Sequence, residues 1–379
     1  MKILHYLIIA FLLLLATGCK REQKTTDKTA PTVENSVTYA NGLEIYKYNG
    51  FSIVKVTNPW PDAEESYTYV MQQKGEIVPD SLKKYTVLEV PLQSVVVTST
   101  THIPSLEMLG VENTLVGFAH TDYVSSEKTR KRIDEGFVKD VGVNESINTE
   151  IMIDLAPEAI IGFSISSNNK SMNTLEKSGL KVLYNGDWTE QNPLGKAEWI
   201  KFFGALYGMD DKADELFKQI EKDYLEAKEI AKQATDRPTV LGGAIYQDHW
   251  YLPQGDSWAA LFLKDANADY LWKDSKGTGS LSLSLETVLD KAQDAEYWIG
   301  PSHFTSLQEM TDSNPHYGQF RAFKEQKVYS FSSKKGSTGG VIYYELSANR
   351  PDLVLKDLIK ILHPGLLIDH KLEFFEQLK

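Results

Sequence analysis

Apolar positions follow four different rules along this chain. Residues Ile3–Ala16 form one apolar run broken only at His5, and Lys2 precedes it. Residues 20–36 are polar, with no apolar periodicity, and predict a flexible tether. From 37 to 92 apolar residues alternate with polar ones. Leu43–Tyr48 and Phe51–Val56 read as strands joined at the hairpin signal Asn49-Gly50, and Ser66–Gln72 offers a third. Beyond 92 short continuous apolar runs alternate with helical stripes.

These runs predict strands at Ser94–Thr98, Leu115–Phe118, Ala159–Phe163, Lys181–Tyr184, Thr239–Ile245, Glu296–Ile299 and Val328–Phe331. Predicted helices between them are Ile103–Leu109, Ile151–Leu155, Ser171–Ser178, Trp258–Lys264, Leu285–Lys291, Tyr317–Phe323 and Pro351–Leu362. Continuous apolar strands separated by helices imply a parallel sheet covered on both faces, hence an α/β fold. The longest helical region, 195–234, is interrupted at Gly208 and Asp210 and predicts two helices. The second, Asp211–Ala234, carries Leu216, Phe217, Ile220, Tyr224, Ala227 and Ile230 on one stripe. At 1.5 Å per residue it would span about 36 Å, enough to bridge two lobes.

With 379 residues, the chain can build two lobes of this kind. Its formal net charge of −12 argues against nucleic-acid binding, which needs a basic face. The opening apolar run has signal-peptide length and is short for a membrane span. It ends in Leu15-Ala16-Thr17-Gly18-Cys19, which resembles the lipobox of bacterial lipoproteins. That resemblance implies removal of residues 1–18 and a diacylglycerol on Cys19, anchoring the chain at a membrane facing the periplasm or exterior. Cys19 is the only cysteine, so an intrachain disulfide and a multi-cysteine metal or redox site are excluded.

Phosphate-loop, HExxH and GxSxG signatures are absent, which weakens readings as an enzyme, a surface-anchored hydrolase among them. Histidines at 102, 120, 249, 303 and 316 fall in predicted loops, but their spacing matches no local metal motif. A bare-ion carrier would need His102, His120, His249 and an acidic residue to converge. Loop aromatics, among them Tyr123, Trp188, Tyr246, Trp250, Tyr251 and Trp258, suit the wall of a large planar or amphipathic ligand.

Several segments, in order, resemble the substrate-binding proteins that serve ABC importers of iron–siderophore, haem and vitamin B12 complexes. Val95-Val96-Val97-Thr98-Ser99-Thr100-Thr101-His102 looks like that family's opening strand and ligand loop. Asn148-Thr149-Glu150 leads into Leu155-Ala156-Pro157-Glu158-Ala159-Ile160-Ile161, similar to its second strand entry, and Leu283-Ser284-Leu285-Glu286 comes in the second half. The likeness spans about residues 92–366 and implies two Rossmann-like lobes across a cleft, joined by a long rigid helix. On this reading 93–208 and 237–379 are the ligand-binding lobes, 209–236 is the connector, and 37–92 is a small antiparallel addition of unassigned role.

The resemblance also implies function: non-covalent capture of an iron complex of the ferric siderophore type and delivery to a permease dimer, without catalysis, resident cofactor or bound metal ion, by a monomer. It implies that Ser99, Thr100, Thr101, His102, His120, Tyr123, Phe163, Trp188, Tyr246 and Trp250 meet the ligand. Glu150 and Glu286 match the glutamates that dock on permease arginines. The B12-binding member uses a tyrosine and tryptophans where this chain has His120, Val141 and Phe163, whereas haem would take His102, His120 or Tyr123 on its iron.

Overall fold

The computed structural model describes residues 33–144 and 146–379. The predicted signal segment, Cys19 and most of the tether lie outside the described residues. The first lobe is built on a five-stranded parallel sheet. Its spatial order is Val182–Tyr184, Ala159–Gly162, Val95–Val97, Leu115–Phe118 and Lys139–Asp140. Successive residues in a strand point to opposite faces. Val95, Val97, Ala159, Ile161 and Leu183 therefore enter one apolar cluster, while Val96, Ile160, Val182 and Tyr184 enter another. Both faces are dry, which is why these strands read as unbroken apolar runs.

The N-terminal addition belongs to the same lobe. Leu43, Ile45, Val54, Val56, Tyr69 and Met71 share one cluster with Val95 and Val97. Its sheet has four strands and is mixed rather than antiparallel: Thr86–Val90 joins Tyr67–Gln73 in parallel. Two buried carboxylates tie the chain entering this sheet to the lobe. Glu198 accepts the backbone N–H groups of Thr38, Tyr39 and Ala40 at 2.8, 2.6 and 2.9 Å, and pairs with Lys201 at 2.9 Å. Glu190 accepts those of Asn41 and Gly42 at 3.0 and 2.8 Å.

In the second lobe Asp269–Tyr270, Thr239–Gly242, Tyr297–Ile299 and Val328–Ser330 run parallel, and Glu376–Gln377 closes the edge antiparallel. The predicted strand 239–245 breaks at Gly243, which has φ +71°; a Cβ there would lie 1.8 Å from the Tyr251 carbonyl oxygen. Past the break the chain enters a separate antiparallel sheet of Ala244–Tyr246, His249–Pro253 and Ser280–Leu283. The predicted helix Tyr317–Phe323 is instead a 3-10 turn, Pro315–Gln319, and a short helix, Arg321–Lys324. Tyr317 and Phe320 both sink into the aromatic core around Trp298, and Phe320 has extended backbone (φ −75°, ψ 139°) between the turn and the short helix, which interrupts a continuous α-helix there.

One helix, Asp210–Ala231, enters both cores. Ala213, Phe217 and Ile220 pack in the first lobe; Tyr224, Ala227 and Ala231 pack in the second. The six alternate by four and three residues, a single straight stripe on a helix about 33 Å long. Leu216 and Ile230, expected within the stripe, lie at its margins and are only partly buried. Gly204 lets the preceding helix Ile200–Leu206 cross closely, since a Cβ there would meet that of Ala213 at 2.5 Å.

The lobes also touch directly. Asn349 bridges to Ser105 Oγ and to the Thr101 carbonyl, both at 2.7 Å. Thr338 donates to the Asp122 carbonyl at 2.9 Å. Glu345 accepts the N–H groups of Ser125 and Ser126 at 2.7 and 2.9 Å. Burial pushes the Glu345 carboxyl up to about 7; these hydrogen bonds oppose the rise, and nearby Glu107 adds to it.

This packing has two measurable consequences. Phe217→Ala should lower unfolding stability by about 3–5 kcal/mol in denaturant titration; a loss near zero would mean that the stripe does not carry the first core. Burial between the lobes makes Glu345 hold its proton more tightly than a solvated carboxyl does, so the closed contact is most stable at low pH and loses stability as pH rises through about 7, where the ionised group is left desolvated. Between pH 6 and 8, protection of the Ser125 and Ser126 amides, corrected for intrinsic exchange, should fall about tenfold. The change should vanish in Glu345→Gln.

Candidate functional site

The carboxyl ends of the first lobe's strands open into a cavity of about 660 Å³. Open parallel sheets place their ligands at such strand ends. Thr98, Ser99 and Thr100 follow the strand Val95–Val97; Ala119 and His120 follow Leu115–Phe118; Phe163 follows Ala159–Gly162. Val143, Asn144 and Tyr123 complete this side, while Val341 and Tyr344 come from the second lobe.

His120 has φ +63°, a left-handed conformation that is uncommon outside glycine. Its N–H donates to the Gly142 carbonyl at 2.7 Å, and its ring centroid lies 4.1 Å from that of Tyr123. Asp140 holds the turn beneath. It accepts Thr121 N–H at 2.9 Å, Thr121 Oγ1 at 2.8 Å and Gly142 N–H at 2.8 Å. Burial favours the neutral Asp140, but these hydrogen bonds and the nearby His120 outweigh it and hold the carboxyl below its ordinary value. Asn144 donates to the Phe163 carbonyl at 3.1 Å. Its side-chain oxygen is buried without a hydrogen-bond partner among the described residues.

Of the residues expected at a ligand, Ser99, Thr100, His120, Tyr123 and Phe163 line this cavity together. Thr101 does not; it bonds Ser99 Oγ through its own hydroxyl at 2.9 Å and lends its carbonyl to Asn349. His102 is fully buried against Phe203, with neither ring nitrogen paired among the described residues. Burial pulls it down to about 4, against the opposing charge of Asp187, so it is a neutral core residue near pH 7. Trp188 packs edge-on against Phe163, behind the wall. Trp250 is a core residue: its indole donates to the Gly242 carbonyl at 2.9 Å and stacks on Trp298. Tyr246 sits exposed at a hairpin end, against Tyr251.

Sequence reasoning did not point to Asp140, Asn144, Val341 or Tyr344. Asp140 and Asn144 carry no local signature, and the other two reach the cavity from more than 170 residues away in the chain. Among the described residues no three His, Cys, Asp or Glu side chains could hold a metal ion together.

Glu150 and Glu286 both stand exposed in the first turns of helices, Thr149–Leu155 in the first lobe and Leu285–Ala292 in the second. Asn148 and Ser284 cap these helices. Hydrogen bonds from its own backbone N–H and from the Ser284 hydroxyl hold the Glu286 carboxyl below its ordinary value. Neither carboxylate is ion-paired among the described residues, so both charges face solvent.

Comparison with known proteins places this geometry. A family model described as "Periplasmic binding protein" matches residues 95–334. An uncharacterized lipoprotein of Methanocaldococcus jannaschii is 26% identical over 374 residues, covering 91% of this chain and 87% of the relative. A second uncharacterized lipoprotein of that organism is 22% identical and covers 100% and 99%. Among solved structures, a possible iron-binding periplasmic solute-binding protein of Staphylococcus epidermidis aligns with TM-score 0.57 at 18% identity, covering 72% of this chain and 99% of that one. A periplasmic heme-binding protein of Pseudomonas aeruginosa aligns with TM-score 0.57 at 17% identity, covering 76% and 99%. These structures share the fold. The family match spans well over half of the chain, and on that ground this chain belongs to the periplasmic binding protein family, as a solute-binding protein and not an enzyme.

Proposed function

We propose that this chain is the lipid-anchored solute-binding component of an ABC-type importer, and that its solute is an iron complex of the ferric siderophore type. The observation that carries the ligand is the pairing of His120 with Tyr123 on the wall of the 660 Å³ cavity. Imidazole nitrogen and phenolate oxygen are both good donors to iron. Ser99 and Thr100, with Asn144 beside them in the wall, offer a polar rim to a chelator. With no cage of acidic and histidine ligands among the described residues, the metal is best carried in with most of its own ligands. Haem is the second reading, because Tyr123, Phe163 and Tyr344 give the cavity aromatic sides suited to a flat macrocycle.

The anchor rests on Cys19 after its run of small residues, and on the lipoprotein description of two relatives. Glu150 and Glu286, one exposed on each lobe, are the charges offered to permease arginines.

Titration with a ferric trihydroxamate, haem and cobalamin, followed by tryptophan fluorescence and absorption spectra, tests the ligand. The ferric chelate should bind saturably, and His120→Ala with Tyr123→Phe should weaken it by at least about tenfold. A shifted haem band with no response to the chelate would select the second reading, and binding of none of the three would reject both. For docking, Glu150→Lys with Glu286→Lys should leave solute affinity unchanged and abolish uptake by vesicles carrying the importer. Undiminished uptake would remove these residues from the docking role.

A further inference from the structure

The second lobe holds another cavity, of about 310 Å³, beside the first. Its walls come from the helix Trp258–Asp265, the helix Pro351–Leu362 and the strand ends at Gly242 and Ile299. Trp258, Phe262, Phe331, Tyr343 and Phe375 supply most of its aromatic surface. Not one Asp, Glu, Lys, Arg or His is among its lining residues. The first cavity, by contrast, presents Ser99, Thr100, His120 and Asn144.

The lining is fixed by packing. Tyr343 is buried and stacks on Phe331 with ring centroids 4.4 Å apart, and Phe331 meets Phe375 edge-on. Gly300, at φ +67°, keeps the strand end low, since a Cβ there would come within 3.1 Å of the Phe331 ring. Tyr344 lines both cavities and is more than half exposed, so the two chambers adjoin at this residue. Ser280 and Ser302, both exposed, mark a side open to water.

The geometry points to a two-chambered binding site, in which the second chamber takes an uncharged apolar arm, aliphatic or aryl, of a solute whose polar head occupies the first. The chamber lies at the small end of ligand pockets, about 300–1,000 Å³, too small for a chelate and large enough for a side arm. A charged arm would lose its hydration there and find no partner. An apolar arm instead gains by leaving water against fixed rings that need no reordering. The inference rests on the proposed function for the identity of the head, but not for the arm.

Two probes separate these. The first compares the ferric complex of a linear trihydroxamate with the same complex carrying an octanoyl chain. The octanoyl complex should bind at least about tenfold tighter, and Ala259→Phe, which fills the chamber, or Ser280→Phe, which blocks its exposed side, should abolish that preference. The second probe is neutral N-phenyl-1-naphthylamine alone. Its fluorescence should rise on binding to the wild-type chain and not to Ala259→Phe. If neither ferric complex binds but the naphthylamine does so and is excluded by Ala259→Phe, the iron reading fails and the apolar chamber stands. Equal affinity for the two complexes, a preference that survives both substitutions, or no naphthylamine binding would overturn the chamber.

Discussion

The stripe Ala213, Phe217, Ile220, Tyr224, Ala227 and Ala231 is shared between two hydrophobic cores, and the remaining geometry depends on it. A helix is stiff over 22 residues unless a proline, a bulge or an inserted group breaks its ladder, and the sequence supplies no proline here. Each end is fixed by burial. Tyr224 is further tied by its hydroxyl to Asp265 at 2.8 Å, and Lys228 pairs with the same carboxylate at 2.8 Å. Separating the lobes would strip one half of the stripe from its core, so they can only rock about this rod. The direct contacts at Glu345, Asn349 and Thr338 then decide how far. Tyr123 and Tyr344, which line the cavity, each lie within two residues of a partner in the Glu345 contact, so the contact that joins the lobes also braces the cavity wall.

Much of this fold was readable in the sequence because burial leaves periodic marks. Strands dry on both faces must be apolar at every position, as Val95–Val97 and Ala159–Gly162 are. A helix serving two cores must carry one long stripe. The helix starts at Asn148 and Ser284 were marked by cap residues preceding an acidic first turn. Features set by distant partners left no such mark. Thr86–Val90 is a strand because Tyr67–Gln73 offers it a parallel edge. The bend at Gly243 is imposed by the approach of the Tyr251 backbone.

The site shows the same division more sharply. His102 and His120 both follow first-lobe strands and looked equivalent in sequence. They differ because the helix His102–Leu109 begins directly at His102 and turns its ring against Phe203, whereas His120 sits in a left-handed turn that projects it into the cavity. Trp250 looked like a loop aromatic, but it alternates with exposed His249 and Tyr251 along a strand, and alternation sends it inward. Tyr344 and Val341 could not be assigned without knowing that the second lobe closes over the first. Aromatic and histidine content thus marks a region that could form a cavity wall, while only tertiary direction says which rings reach the cavity.

The strained turn at His120 suggests how the cavity, as the proposed solute site, would be selective. A non-glycine residue in the left-handed region costs about 1–2 kcal/mol. Asp140 offsets this by gathering three hydrogen bonds from Thr121 and Gly142, and it remains ionised because those bonds outweigh its burial. The strain is therefore met by the folded lobe before any solute arrives. His120 and Tyr123 are held together at 4.1 Å between centroids, and Asn144 is fixed through Phe163. A solute that fits this arrangement loses little affinity to ordering the wall, whereas one that needs a different arrangement must undo the Asp140 bonds first. On the proposed function, discrimination would reside in the turn beneath the cavity as much as in the side chains that line it.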